Sequence, residues 1–433
     1  MRILVNSLIA VTLIFCVRAA NVQAQDDVHA LIASRAEAIN SKVVEWRRDI
    51  HQHPELSNEE YRTGKKAADH LKSLGFEVQT GVAETGVVGI LRGDHPGKVV
   101  ALRADMDGLP VEEQVDVPFA SKVRGTYRGK EVGVMHACGH DNHVAILMGA
   151  AEVLAGMKSQ IHGTIIFIFQ PAEEGTGGAD VMVAEGVLSD PDVDAIFGLH
   201  VSQRLAVGEV GVRPGGTMAG SDGLQIVVHG KQTHAAMPWA GIDPIVLSAQ
   251  VIMGLQTIVS RQANITVAPA IVTIGIIEGG VRSNIIPDDV TMIGTIRTLD
   301  PEMQEDIHAR VHQTVKGIVE SAGGTATVTI RKGAPVTYND PALTRSMRST
   351  LESVAGFEQV SEPNPVTGAE DFAFYAQEVP GMFFFLGVRP VDVPAEEAIA
   401  NHSPFFYADE SALPLGVKTM AGLAIDFLNK ERG

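Results

Sequence analysis

Apolar residues recur along the first half of the chain in short, almost unbroken runs. Those at 86–92, 98–103 (KVVALR), 163–169 (GTIIFIF) and 195–199 (AIFGL) are aliphatic, β-branched or aromatic. This is the pattern of strands buried on both faces. Between and before them the apolar period lengthens to that of a helix, at 28–50, 144–157 and 179–185. The segment Ser57-Asn58-Glu59-Glu60 has the form of a capping box, so a helix is expected from there to about Leu74. Alternating helices and continuous apolar strands predict an α/β domain with a covered, largely parallel sheet.

The pattern then changes. Residues 222–331 read strand, helix, strand, strand, helix, strand, which is the split βαβ, ferredoxin-like order of an α+β domain. Pro214-Gly215-Gly216 before this stretch and Gly333-Ala334-Pro335 after it suit hinges. The expected organisation is one α/β domain over 25–214 and 333–433, interrupted by an inserted domain at 215–332. The resumed domain adds a strand at 382–387 (MFFFLG) and closes with a helix at about 411–429.

The start of the chain changes the picture of where it works. Arg2, a mostly apolar run at 3–17 and Val22-Gln23-Ala24 read as a secretory signal peptide over 1–24. The protein is therefore expected to be exported, to the periplasm or the extracellular space. The apolar run is short for a spanning helix, and no later stretch reads as one. No membrane partner is expected once the leader is gone. The balance of 34 basic against 52 acidic residues leaves a net charge of −18, which argues against nucleic acid or anionic membranes as partners. Small anionic substrates stay open, because they respond to a local field.

Of the two cysteines, Cys16 lies in the leader and Cys138 in MHACGHDNH, at 135–143. A lone thiol in an exported protein is exposed to oxidation. It is either a small buried hydrophobe or a metal ligand, and its neighbours His136, His140 and His143 favour metal. Further donors follow other strands: Asp105 and Asp107 after KVVALR, Glu173 and Glu174 after GTIIFIF, His200 after AIFGL and His402 after MFFFLG. Ligands of open α/β sheets gather beyond the carboxyl ends of strands, so these donors are expected at one edge. In an extended segment adjacent side chains point to opposite sides. One glutamate of the Glu173-Glu174 pair can therefore bind metal while the other reaches a water. HExxH, GxSxG and P-loop motifs are absent. A cysteine nucleophile with a histidine base would leave His200, His402 and the glutamate pair unexplained.

These residues resemble peptidase family M20, and within it the amidohydrolase branch of hippurate hydrolases, N-acyl-amino-acid amidohydrolases and auxin-conjugate hydrolases. The resemblance spans WRRDIHQHPELSNEE at 46–60, ALRADMDGLP at 101–110, MHACGHDNH, QPAEEG at 170–175 and GLHV at 198–201. It continues through HAAMP at 234–238, SNIIP at 283–287, GAEDF at 368–372 and NHSPFF at 401–406. It implies a zinc-peptidase-like catalytic domain with a lid and dimerisation domain inserted. It also implies two divalent ions (zinc, manganese, cobalt or nickel) on Cys138, His140, Glu174, His200 and His402, with Cys138 between them. Glu173 would be the general base acting on a water shared by the ions, and Asp107 would orient a ligand. The wider family has HxD where this chain has Asp105-Met106-Asp107, so Asp105 is not carried over as a ligand. His136, Asp141 and His143 are read as supporting the ligands from behind or as structural, and His51 and His53 as structural. His234 resembles the residue that polarises the scissile carbonyl, often from the partner subunit. Asn284 and Arg297 resemble the holders of the substrate α-carboxylate. The implied reaction is hydrolysis of N-acyl or N-aroyl amino acids by a homodimer or higher oligomer. A dipeptidase or carboxypeptidase, and a non-catalytic exported binding protein, are the alternatives.

Overall fold

The computed structural model describes residues 2–430 apart from Thr176, with side chains described from Asp27 onward. The expected leader, 1–24, lies outside the residues whose side chains are described. Contacts divide the chain into two compact units, Met1–Val212 with Ala342–Glu362 and Val379–Gly433, and Arg213–Pro341 with Pro363–Glu378. The second unit thus runs past residue 332 and takes in a later stretch that contains GAEDF.

The first unit is a mixed α/β fold on an eight-stranded, mostly parallel central sheet. Its strand order is Glu77–Val82, Gly86–Arg92, His162–Gln170, His95–Asp105, Ala195–Ala206, Gly381–Arg389, Val210–Gly211, Val360–Ser361. The middle four strands run parallel. They are the continuous apolar runs, and Leu102, Phe167, Phe169, Phe197 and Phe384 within them are fully or almost fully buried. Helices Arg2–Gln52, His140–Ala155 and Leu413–Asn429 join these strands in one apolar core, through Val43, Ile146, Leu147, Val417 and Leu423. The strand Glu77–Val82 was not legible in the sequence, because most of its residues are exposed and do not alternate. It and Gly86–Arg92 pair antiparallel at one edge.

The expected capping box does not form. The helix begins at Tyr61, and no side chain of Glu60 caps it. Instead the Glu55 carboxylate accepts the N–H groups of Arg62 and Thr63, both at 2.8 Å. Ser57 and Glu60 have turned inward to tertiary partners.

The second unit contains a four-stranded antiparallel sheet in the order Ala270–Gly279, Asp289–Thr298, Gly220–His229, Thr325–Lys332. Two helices, Pro244–Thr257 and Pro301–Ser321, cross between strands, giving the ferredoxin-like order. Each starts on an aspartate cap followed by proline: Asp243 accepts from Ile245 and Val246, and Asp300 from Met303. Ile226, Val251, Leu255, Met292, Val311 and Val315 form a core separate from that of the first unit.

One expectation is corrected. Pro244–Gln262 and Glu410–Asn429 are long and apolar enough to cross a membrane by length and composition. The second has 78% of its apolar window buried, and the first presents Leu247, Val251 and Leu255 to its own unit's core, so packing accounts for much of their apolarity.

Candidate metal centre

Five segments of the first unit converge on one group of donors. The strand His95–Asp105 delivers Asp105 at its end and Asp107 just beyond, both buried. The strand His162–Gln170 runs into Pro171-Ala172-Glu173-Glu174. His200 is inside its strand rather than after it, since that strand continues to Ala206. Cys138 precedes the helix that His140 opens, and Gly139 between them has φ +94°. A Cβ there would lie 2.4 Å from a methyl of Val201, so only glycine lets this turn lie against the strand. His402 comes from the loop after Gly381–Arg389; its N–H donates to the Ala137 carbonyl at 2.8 Å. The preceding Asn401 donates its side-chain amide to the Cys138 carbonyl at 2.9 Å.

The donor atoms fall into overlapping groups. Ligand atoms of Cys138, His140 and His200 lie within 4.8 Å of one another, as do those of Cys138, Glu174 and His402, and of His140, Glu173 and Glu174. Cys138 belongs to the first two. Its Sγ is 3.3 Å from His200 Nε2, and Glu174 Oε1 is 2.9 Å from His402 Nε2. Asp107 organises the group from behind. One of its oxygens is 3.2 Å from His140 Nδ1 and accepts the Glu173 N–H at 3.1 Å. The other accepts the Glu174 N–H at 2.9 Å and the Ser57 hydroxyl at 2.6 Å.

A further trio, Asp105, His140 and His143, is also close enough for an ion. Hydrogen bonding already accounts for His143. Its Nδ1 faces Asp105 at 2.5 Å and its Nε2 accepts the Val201 N–H at 2.9 Å, so neither nitrogen is left to bind metal. Asp105 also takes Arg103 at 2.7 Å and is held well below the usual carboxylate range: burial pushes it up, but Arg103, His140 and His143 outweigh it. Asp141, in the first turn of the ligand-bearing helix, accepts from Arg47 at 2.7 Å and pairs with His51 at 2.9 Å.

Three of the expected substrate residues lie in the second unit. His234 and Asn284 are neighbours: His234 pairs with Ile285 across two short strands, and the Ala235 N–H donates to the Asn284 carbonyl at 3.0 Å. Both side chains are exposed. Arg297 sits on the strand Asp289–Thr298, opposite Ser221 on one side and Ile271 on the other.

Residues 101–426 match the profile of Peptidase family M20/M25/M40. The chain belongs to this family. Among its relatives is Thermostable carboxypeptidase 2 of Saccharolobus solfataricus, 44% identical over 90% of this chain and 97% of the relative. IAA-amino acid hydrolase ILR1-like 5 of Arabidopsis thaliana is 40% identical over 88% and 86% of the two chains. N-acetyl-L-cysteine deacetylase of Bacillus subtilis is 38% identical over 87% and 89%. The crystal structure of Bacillus subtilis YXEP, described as a dinuclear metal-binding peptidase from the M20 family, matches with a TM-score of 0.77. It is 34% identical and covers 91% of this chain and 99% of its own.

The M20 chain is thus a metal-dependent peptidase or amidohydrolase, and its donors fit divalent ions. His140 Nε2 is buried without a hydrogen-bond partner, while its Nδ1 is oriented by Asp107, the pairing typical of metal-binding imidazoles. His200 Nδ1 donates to the Val201 carbonyl at 2.7 Å, which leaves the Nε2 lone pair facing Cys138. Burial pushes the Cys138 thiol well up, and Glu174, Glu173 and Asp105 push it further; a cation is what this thiol needs to ionise. Burial lowers His140, yet the carboxylates of Asp105, Asp107 and Glu174 prevail and hold it up to about 10.

Ser57, Glu60 and Asn401 contact this group or its turn but were not singled out as site residues in the sequence. Asn401 adjoins His402 in NHSPFF, and that adjacency was the available signal. Ser57 and Glu60 carried a signal that pointed elsewhere, to a helix start.

Proposed function

We propose that this M20 enzyme hydrolyses the amide bond of N-acyl or N-aroyl amino acids, releasing a carboxylic acid and a free amino acid. In this reading Cys138, His140, Glu174, His200 and His402 would hold two divalent ions. The observation that carries it is the membership of Cys138 in two donor groups beside an adjacent glutamate pair. Divalent ions held there supply Lewis acidity to the substrate carbonyl and lower the pKa of a water. Glu173 takes the proton of the attacking water and returns it to the departing amide nitrogen, so the proton balance closes on one side chain. Asp107 fixes Glu173 and Glu174 through their backbone N–H groups. His234 is assigned to the scissile carbonyl, and Asn284 and Arg297 to the substrate α-carboxylate.

A second reading is a carboxypeptidase, favoured by the name of the Saccharolobus relative. The two readings share a leaving group: an amino acid with a free α-carboxylate. They differ in what is acylated onto its nitrogen. A panel of N-acetyl, N-benzoyl and indole-acetyl amino acids beside dipeptides, on protein loaded with manganese, zinc, cobalt or nickel, separates them. Release of amino acid from the N-acyl compounds supports the first reading, and cleavage of dipeptides alone supports the second.

Export through the leader and a homodimer belong to the same proposal. The strand Ala270–Gly279 is an edge of its sheet and exposes Ile271, Ile276 and Ile277, which suits pairing with a second copy. Sedimentation at micromolar concentration tests this, and a monomer would contradict it.

A further inference from the structure

Glu60 is fully buried, yet neither the helix it precedes nor the donor group accounts for it. Its carboxylate reaches under the turn that follows the strand His162–Gln170. One oxygen accepts the Ala172 N–H at 2.9 Å and the Asn58 N–H at 3.0 Å; the other accepts the Thr85 hydroxyl at 2.5 Å. Ala172 has φ +55°, a left-handed conformation that a non-glycine residue holds only when its surroundings impose it. The next two N–H groups, of Glu173 and Glu174, go to Asp107. Three successive N–H groups are therefore each accepted by a buried carboxylate, and the left-handed step falls where the acceptor changes from Glu60 to Asp107. The turn also lies tightly on Ser57, since a Cβ on Gly175 would come within 2.6 Å of the Ser57 Cβ.

We infer that Glu60 is a positioning residue for amide hydrolysis: by accepting the Ala172 N–H it fixes the left-handed step that orients Glu173 and Glu174. This rests on the roles proposed above for those two glutamates. Asp107 alone cannot set the turn, because it grips only the residues after the step. Without Glu60 the Ala172 N–H is buried and unpaired, and the strained φ has nothing to hold it.

The test compares metal-loaded wild type with Glu60→Leu, Glu60→Gln and Glu173→Gln. Glutamine keeps a carbonyl oxygen for Ala172 and an amide to donate to Thr85. In Glu60→Leu we expect kcat to fall about 100-fold with KM nearly unchanged, as for a displaced catalytic group. Amide hydrogen exchange across 171–175 should rise in the same variant. Glu60→Gln should restore both readouts to within about threefold of wild type. Glu173→Gln should lose turnover with the exchange of the turn unchanged. If Glu173→Gln turns over normally, the role of Glu173 fails, while the exchange data still report on Glu60. Wild-type kcat and wild-type exchange in Glu60→Leu would overturn the inference. So would a Glu60→Gln variant as impaired as Glu60→Leu, or an activity loss matched only by a smaller folded fraction. Should Glu60→Leu fail to fold, Thr85→Val frees the other oxygen and must raise exchange at the turn and lower kcat. If it leaves both unchanged, the inference is overturned.

Discussion

The Asp107 carboxylate stands 3.2 Å from His140 Nδ1 and, through the same oxygen, accepts the N–H of Glu173 at 3.1 Å. One buried side chain thereby ties the orientation of an imidazole on a helix to the backbone of a turn that follows a strand. The coupling explains why a carboxylate without a direct place among the donors is so fully satisfied. Burial alone would raise Asp107, but His140, Ser57 and the Glu174 N–H hold it below the usual carboxylate range.

Replacing Asp107 by alanine should therefore loosen the imidazole and the glutamate turn together. Metal affinity should fall about 10- to 100-fold, the usual effect of losing a carboxylate behind a metal-binding histidine. Competition with a chelator measures it. Wild-type affinity in the variant would mean that the Asp107–His140 contact does not orient a ligand.

Metal binding should release protons. In metal-free protein the Cys138 thiol is pushed up by burial and nearby carboxylates, and His140 stays protonated up to about 10. Both must lose a proton to bind an ion, so apparent affinity rises with pH. Calorimetry in two buffers of different ionisation enthalpy reads the proton count directly. A heat of binding independent of buffer would contradict this.

Glu60 should leave a signature in pH-dependent stability. Burial and the neighbouring Asp107 raise its carboxyl from 4.5 to about 7 in the fold. A raised folded-state value favours the protonated form. The stabilisation is complete below about 4.5 and is lost as the pH rises through about 7. Glutamine mimics the protonated form at every pH. Across this window chelator-treated wild type should lose up to about 3 kcal/mol relative to Glu60→Gln. Denaturant unfolding of both proteins at several pH values tests it, and parallel stability curves would count against a raised Glu60.

Arg47 should matter for the fold itself. It is buried and donates to the equally buried Asp141, which also pairs with His51. Arg47→Leu removes one charged partner of a buried carboxylate at the start of the helix that carries His140. The expected loss is about 3–5 kcal/mol, read as a lower midpoint of thermal or denaturant unfolding. A change near zero would mean that water replaces the guanidinium.

The legible parts of this molecule were those where local pattern and tertiary role coincide. KVVALR, GTIIFIF and MFFFLG lie within strands because they are buried in the middle of the sheet, and burial on both faces writes itself as an apolar run. The donors were legible as a set, because strand ends gather at one edge of an α/β sheet. Ser57 and Glu60 misled because a capping box is a local pattern. The competing partners, Asp107 and Ala172, are 50 and 112 residues away. The resemblance set His143 apart from the ligands, but the physical reason, its contacts with Asp105 and the Val201 N–H, shows only in the fold. No spacing in the sequence encodes which imidazole nitrogen is already taken.

The central claim is that the Cys138 group holds divalent ions and Glu173 moves the proton. The most direct test measures metal content and amino-acid release on the same preparations of wild type and Glu173→Gln. The account predicts equal metal content in both, with turnover of N-acyl amino acids lowered about 10²- to 10⁴-fold in the variant. Wild-type turnover in Glu173→Gln, or turnover in wild type that survives complete removal of metal, would contradict it.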